Sequence, residues 1–112
     1  MKILVREECW RIEPPLRISR GVMDQLPLIV VEIEDERCNR GRGEAVGVPY
    51  EGETPQTMMA QIADVSVEIE RGISRDDLQN RLGPGGARNA LDCALWDLQA
   101  KASATPLWRL AG

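Results

Sequence analysis

The chain has 112 residues, a formal net charge of -4, and 43% apolar and 29% charged residues. That is the size and balance of one globular domain, enough to bury roughly two thirds of its unfolded surface. No apolar run approaches the ~20 residues that span a bilayer, so no membrane partner is expected. An acidic chain with dispersed arginines is not expected to bind nucleic acid either, because phosphate binding needs a concentrated basic surface.

Residues Lys2 to Glu13 read as a strand, with Leu4, Trp10 and Ile12 sharing one parity. Pro14-Pro15 breaks it, and Leu16 to Ile18 resumes it or continues it at an edge. Ser19 to Pro27, with Gly21 and Pro27, reads as a loop. Leu28 to Glu34 is the clearest strand, rich in β-branched residues. Asp35 to Asn39 is a polar turn. Arg40 to Val46 is a third strand, with glycines that leave room for another backbone to come close. The short link between the second and third strands favours an antiparallel hairpin.

The second half switches period. Gly47 to Glu53 is a loop holding Pro49 and Tyr50. Thr54-Pro55 starts a helix, an N-cap oxygen followed by proline at the first helical position. Met58, Ile62, Val65 and Ile69 form its apolar stripe, and Gly72 suits its C-terminal end. Ser74 opens a short helix through Leu82, with Asp76 and Asp77 in the first turn. Gly83 to Gly86 ends it. A long alanine-rich helix runs from about Ala87 to Ala102, with Ala90, Leu91, Ala94, Leu95 and Leu98 on one flat face. Thr105-Pro106 caps a last turn with Trp108 and Leu110. The expected fold is α+β: a three-stranded antiparallel sheet over about 2–46, then a small helical bundle over about 54–110, in one domain.

The residue types limit the chemistry. There is no histidine, and Lys2 and Lys101 are the only lysines. A Ser/His or Cys/His nucleophile system is therefore excluded within these residues. Cys9, Cys38 and Cys93 form no metal-type pair and read as buried free thiols. Gly41-Arg42-Gly43 with Gly47 lacks the strand-turn-helix setting of a dinucleotide loop. Gly83 to Gly86 could present amides to an anion, with Arg88 assisting, or could simply connect two helices. Glu32 and Glu34 share a strand face and read as solvated, and Asp97 and Lys101 read as a surface ion pair. Tyr50, the one tyrosine, is either a packing lid or a ligand contact. The opening Met1 to Arg6 is too short and too soon charged for a signal peptide, so a cytoplasmic protein is expected.

Four landmarks occur in order: LRISRG (Leu16–Gly21), GRGEA (Gly41–Ala45), Pro49-Tyr50 with GETP (Gly52–Pro55), and GGARNALDCALWDLQAK (Gly85–Lys101) before PLWRLAG (Pro106–Gly112). Together they resemble the N-terminal capping domain of the enolase superfamily, in its mandelate racemase and muconate-lactonizing branch. The subgroup they resemble is the dipeptide (L-Ala-D/L-Glu) epimerases. The resemblance implies a partner, a C-terminal barrel of the same enzyme, which carries the lysine bases and the carboxylates for magnesium. It implies removal of an α-proton from a small dipeptide-like substrate. No catalytic or metal residue is carried onto these positions, so no cofactor is expected in the 112 residues themselves and magnesium is expected only in the whole enzyme. The segment alone is expected to lack the barrel and to be inactive. With Trp108 and Leu110 uncovered, a homodimer is among its expected assemblies. The resemblance also implies two specificity loops, about Ser19 to Pro27 and Gly47 to Glu53, with Arg20, Gly21 and Tyr50 as substrate-binding residues. Arg20 could instead be a solvated loop residue. The alternatives are the same domain from a muconate cycloisomerase or acid-sugar dehydratase, or a stand-alone α+β binding or dimerisation module.

Overall fold

The computed structural model describes every residue from Met1 to Gly112. Its first half is an antiparallel sheet in the order β1-β2-β3, with β1 (Lys2–Ile18), β2 (Gly21–Glu34) and β3 (Arg40–Ala45). Four helices follow: α1 (Pro55–Glu70), α2 (Arg75–Arg81), α3 (Gly86–Ala102) and α4 (Leu107–Leu110). This is the α+β order that the sequence predicts. No helix is long and apolar enough to cross a membrane.

Local signals set most boundaries. Thr54 caps α1 reciprocally with Thr57, and Pro55 fills the first helical position. Ser74 caps α2 through the amide of Asp77. Between β2 and β3, the Asp35 carboxylate accepts from the amides of Arg37 and Asn39, each at 2.9 Å, which closes the turn. One core then joins the helices to the sheet. Met58, Ile62, Val65 and Ile69 of α1 meet Leu91, Leu95 and Leu98 of α3 and Ile29, Val31 and Ile33 of β2 in a single buried cluster.

The contact between α3 and β3 is backbone on backbone. The inward positions of β3 are Gly41, Gly43 and Ala45, and those of α3 include Ala90 and Ala94. A methyl group added at Gly41 would lie 2.5 Å from the Leu98 amide nitrogen, and one added at Gly43 would lie 2.8 Å from that of Ala94. Asp97 pins the same junction. Its carboxylate accepts from the Arg42 amide at 2.8 Å and from Lys101 at 2.7 Å, while Lys101 also donates to the Arg40 carbonyl. The pair expected to be a surface contact within one helix thus ties that helix to the sheet.

Four expectations need correction. Ser19 to Pro27 is not a loop: only Ser19 and Arg20 turn, and β2 begins at Gly21. Pro14-Pro15 does not end β1, which runs to Ile18 with a register irregularity between Arg11 and Leu16. The inward face of β1 is the odd one. Ile3 and Val5 pack on the core, while Leu4 and Trp10 are exposed. The cysteines are exposed, not buried, because Cys9 lies on the outer ribbon, Cys38 in the β2–β3 turn and Cys93 on the outward side of α3.

Candidate functional site

Arg20 and Tyr50 are thirty positions apart and the fold brings them together. Arg20 sits in the two-residue turn of the β1–β2 hairpin, and Tyr50 in a 3-10 turn, Pro49–Glu51, between β3 and α1. The guanidinium carbon of Arg20 lies 4.5 Å from the centroid of the Tyr50 ring. Stacking of this kind contributes about 0.5–1 kcal/mol at an exposed site. It also leaves the guanidinium N–H groups, which lie in its own plane, free to donate sideways. Tyr50 is 72% exposed. Gly21 follows Arg20 with φ 136, a backbone conformation that favours glycine, and nothing lies within 4 Å of where its Cβ would be. Of the three residues, Arg20 and Tyr50 meet, and Gly21 supports the turn by its conformation.

Sequence reading missed Glu53. One of its carboxylate oxygens accepts from the Val48 amide and the other from the Gly86 amide, each at 2.7 Å. The glycine-rich run before α3 therefore does hold an anion, and the anion is this side chain. Arg88 does not assist; it donates to the Leu82 carbonyl. A glycine run opening a helix, together with an unassigned acid, was the available signal, but the two lie 33 positions apart.

The outer face of the sheet carries paired charges. Glu32 accepts from Arg42 at 2.7 Å and from Arg6 at 3.0 Å, and Arg6 also pairs with Glu8. The Arg42 hydrogen bond, opposed by partial desolvation and aided by Arg6, holds the Glu32 carboxyl below the ordinary range. Hydrogen bonds from Trp10 and Arg6 do the same for Glu8. These carboxylates are neutralised by arginines and are not poised as a base. No cluster of three or more His, Cys, Asp or Glu side chains has the geometry to hold a metal ion. The residues present do not form a magnesium site. Desolvation, then Asp92, pushes the Cys93 thiol up, which disfavours a reactive thiolate. A groove of about 410 Å³ between α2 and α3 is lined by Ile73, Arg75, Leu95, Leu98 and Gln99 among others, and by neither Arg20 nor Tyr50.

A three-stranded sheet backed by helices, with a hairpin tip and a β3–α1 loop meeting at one point, defines the class. The chain belongs to the mandelate racemase / muconate lactonizing enzyme N-terminal domain family, whose family model matches residues 1–112. It is 43% identical to an L-Ala-D/L-Glu epimerase of Escherichia coli (strain K12) over 110 residues, covering 98% of this chain and 34% of the relative. An enolase family member from Agrobacterium tumefaciens with homology to dipeptide epimerases, solved with bound sodium and L-Ala-L-Glu, superposes with a TM-score of 0.91 at 33% identity. The match covers 96% of this chain and 33% of that one. A dipeptide epimerase from Methylococcus capsulatus, complexed with Mg and the dipeptide L-Arg-D-Lys, gives a TM-score of 0.82 at 28% identity, covering 99% of this chain and 34% of that one. The chain thus spans about a third of the length of the proteins it matches.

Proposed function

We propose that residues 1–112 are the substrate-specificity capping domain of a magnesium-dependent enolase-superfamily isomerase, a dipeptide epimerase whose substrate ends in an acidic side chain. The barrel that partners this domain would supply the bases and the metal ligands. The observation that carries the reading is the contact of Arg20 with the face of Tyr50, which puts a cation where the β1–β2 hairpin tip and the β3–α1 loop converge. A guanidinium placed over an aromatic ring suits a carboxylate, since its fork matches the two oxygens. The likeness to an L-Ala-D/L-Glu epimerase agrees with an acidic distal group. In this arrangement Arg20 and Tyr50 read the far end of the substrate and take no part in moving the α-proton.

The test is Arg20→Ala in the full-length protein, assayed with L-Ala-L-Glu and with an apolar dipeptide. Loss of a hydrogen bond to a charged group predicts that kcat/KM for the acidic dipeptide falls roughly tenfold to a hundredfold. The apolar dipeptide should be much less affected, because the reacting centre is untouched. Equal losses would mean that Arg20 supports structure and does not read the side chain. No turnover of either dipeptide by the unmodified protein would favour a cycloisomerase or dehydratase instead.

A further inference from the structure

The third helix has its N-terminus satisfied differently from the first two. Thr54 caps α1 and Ser74 caps α2, each through its own side chain. Gly85, at the same position of α3, has no side chain to offer. Glu53 takes that place from 33 positions away, accepting from the first amide of the helix. A carboxylate there faces the positive end of the helix dipole.

The same carboxylate holds the loop that carries Tyr50. The loop is flanked by Gly47 with φ 80 and Gly52 with φ 82, both in the left-handed region that favours glycine. Its base is Val48, whose carbonyl accepts from the amides of Glu51 and Glu53 and whose own amide donates to Glu53. Surrounding residues leave the carboxylate little room to be elsewhere. A methyl at Gly85 would stand 2.5 Å from Glu53 Oε1, and one at Gly47 would stand 3.0 Å from Glu53 Cβ. A methyl at Gly86 would overlap the Met58 sulfur. The chain of fixed parts therefore runs from β3 to α3 by the glycine-alanine contact, from α3 to Glu53, and from Glu53 to the turn bearing Tyr50. Tyr50 itself is largely exposed and cannot be held by packing of its own.

We infer that Glu53 is a positioning residue for substrate selection: its carboxylate bridges Val48 and Gly86 and so fixes the Tyr50 turn beneath Arg20. The inference rests on the reading that Arg20 and Tyr50 face the substrate. Glutamine at this position keeps the shape, but its amide group turns a donor toward one of the two N–H groups. Aspartate is one methylene too short to span both.

The experiment uses Glu53→Gln and Gly85→Ala in the full-length protein, the second pressing on the carboxylate from the other side. Hydrogen–deuterium exchange should quicken by about tenfold or more in peptides covering residues 46–53 and 84–89, the scale expected for losing a charge-assisted bond. Peptides of residues 28–34 should be unchanged. The ratio of kcat/KM for L-Ala-L-Glu to that for an apolar dipeptide should fall in both variants as it does in Arg20→Ala, through KM, with kcat held within about twofold. Unchanged exchange in residues 46–53 and 84–89 would overturn the bridge. Faster exchange with an unchanged ratio, while Arg20→Ala lowers it, would overturn the positioning role. Equal losses of kcat for both dipeptides would do the same. If Arg20→Ala and Tyr50→Ala leave the ratio unchanged, the substrate reading fails and takes the positioning role with it, while exchange still decides whether the bridge exists.

Discussion

Gly43→Ala tests the contact on which the architecture rests. The new methyl would lie 2.8 Å from the Ala94 amide nitrogen and closer still to the Ala90 carbonyl oxygen, whereas ordinary contact begins at about 3.4 Å. Both neighbours are backbone atoms of α3, so no side-chain rotamer can relieve the overlap. The helix must move as a body by more than half an ångström. Ala90, Leu91, Ala94, Leu95 and Leu98 would move with it, and all five are buried. A gap of that width forfeits about a quarter to a half of each dispersion contact it opens. Overpacking typically costs about 1–3 kcal/mol when neighbours can adjust, and here they cannot, so roughly 3 kcal/mol or more is expected. That corresponds to a melting temperature lower by at least ~10 °C for a domain of this size.

The assay is a thermal melt followed by circular dichroism, with Gly83→Ala as the control. Gly83 has nothing within 4 Å of its Cβ position. Alanine there should be neutral or stabilising by about 0.4–1 kcal/mol, through loss of unfolded-chain entropy. If Gly43→Ala melts within about 2 °C of the parent, the close approach of α3 to β3 is not a constraint and the reasoning fails.

Two further outcomes follow from the packing and the charges. Leu91→Ala should cost more than Leu95→Ala within the range of about 2–5 kcal/mol for core leucines, because Leu91 is fully buried while Leu95 borders the open groove; urea unfolding that reverses the order would refute the assignment of the α3 face. On the outer sheet face, the folded-state pKa of Glu32 lies below the ordinary 4.5, so its contribution is present above that value and is lost as pH falls through the folded pKa. Urea midpoints should decline on acidification below the ordinary value, and Glu32→Gln should flatten that decline. An identical acid limb in the variant would show that the Arg6 and Arg42 contacts contribute nothing.

The elements that were legible in the sequence carry their own punctuation. Thr54-Pro55 and Ser74 mark helix starts, and the run from Leu28 to Ile33 marks a strand, because capping and β-branching act over a few residues. The β1–β2 hairpin was illegible for the same reason. Pro14, Pro15, Gly21 and Pro27 are local breakers, yet the pairing of β1 with β2 continues past them. β3 reaches only as far as Ile29, so the ribbon beyond it has a free edge, where a proline sacrifices no ladder bond. The wrong face of β1 has a different cause. Leu28 and Val30 are buried but lie outside the helix-side core. Arg6 stands directly across from Val30, held by ion pairs to Glu8 and Glu32, and long arginine stems can roof apolar surface while their heads stay wet. Alternation alone does not reveal which of two partly apolar faces receives the helices.

The candidate site divides along the same line. Arg20 and Tyr50 were legible as individual residues because each stands out in its loop, but their stacking depends on where the hairpin tip falls. Glu53 was illegible because the group it caps is remote in sequence, and a capping rule confined to one helix terminus will not find it. The glycines supply the missing clue. Gly41 and Gly43 admit the backbone of α3, while Gly47, Gly85 and Gly86 surround the Glu53 carboxylate and Met58. Only the first pair could be read as a close approach from the sequence. In the second group, Gly47 looked like part of a loop, and Gly85 and Gly86 like either an anion cradle or a link between helices. Both serve one geometry, since a helix held at backbone distance from β3 also presents its N-terminal amide to the loop leaving that strand. With Glu53 in the positioning role inferred above, the exposed Tyr50 turn takes its place from the α3–β3 junction. It follows that substitutions at the α3–β3 contact should disturb the Arg20–Tyr50 pair, although none of those residues touches it.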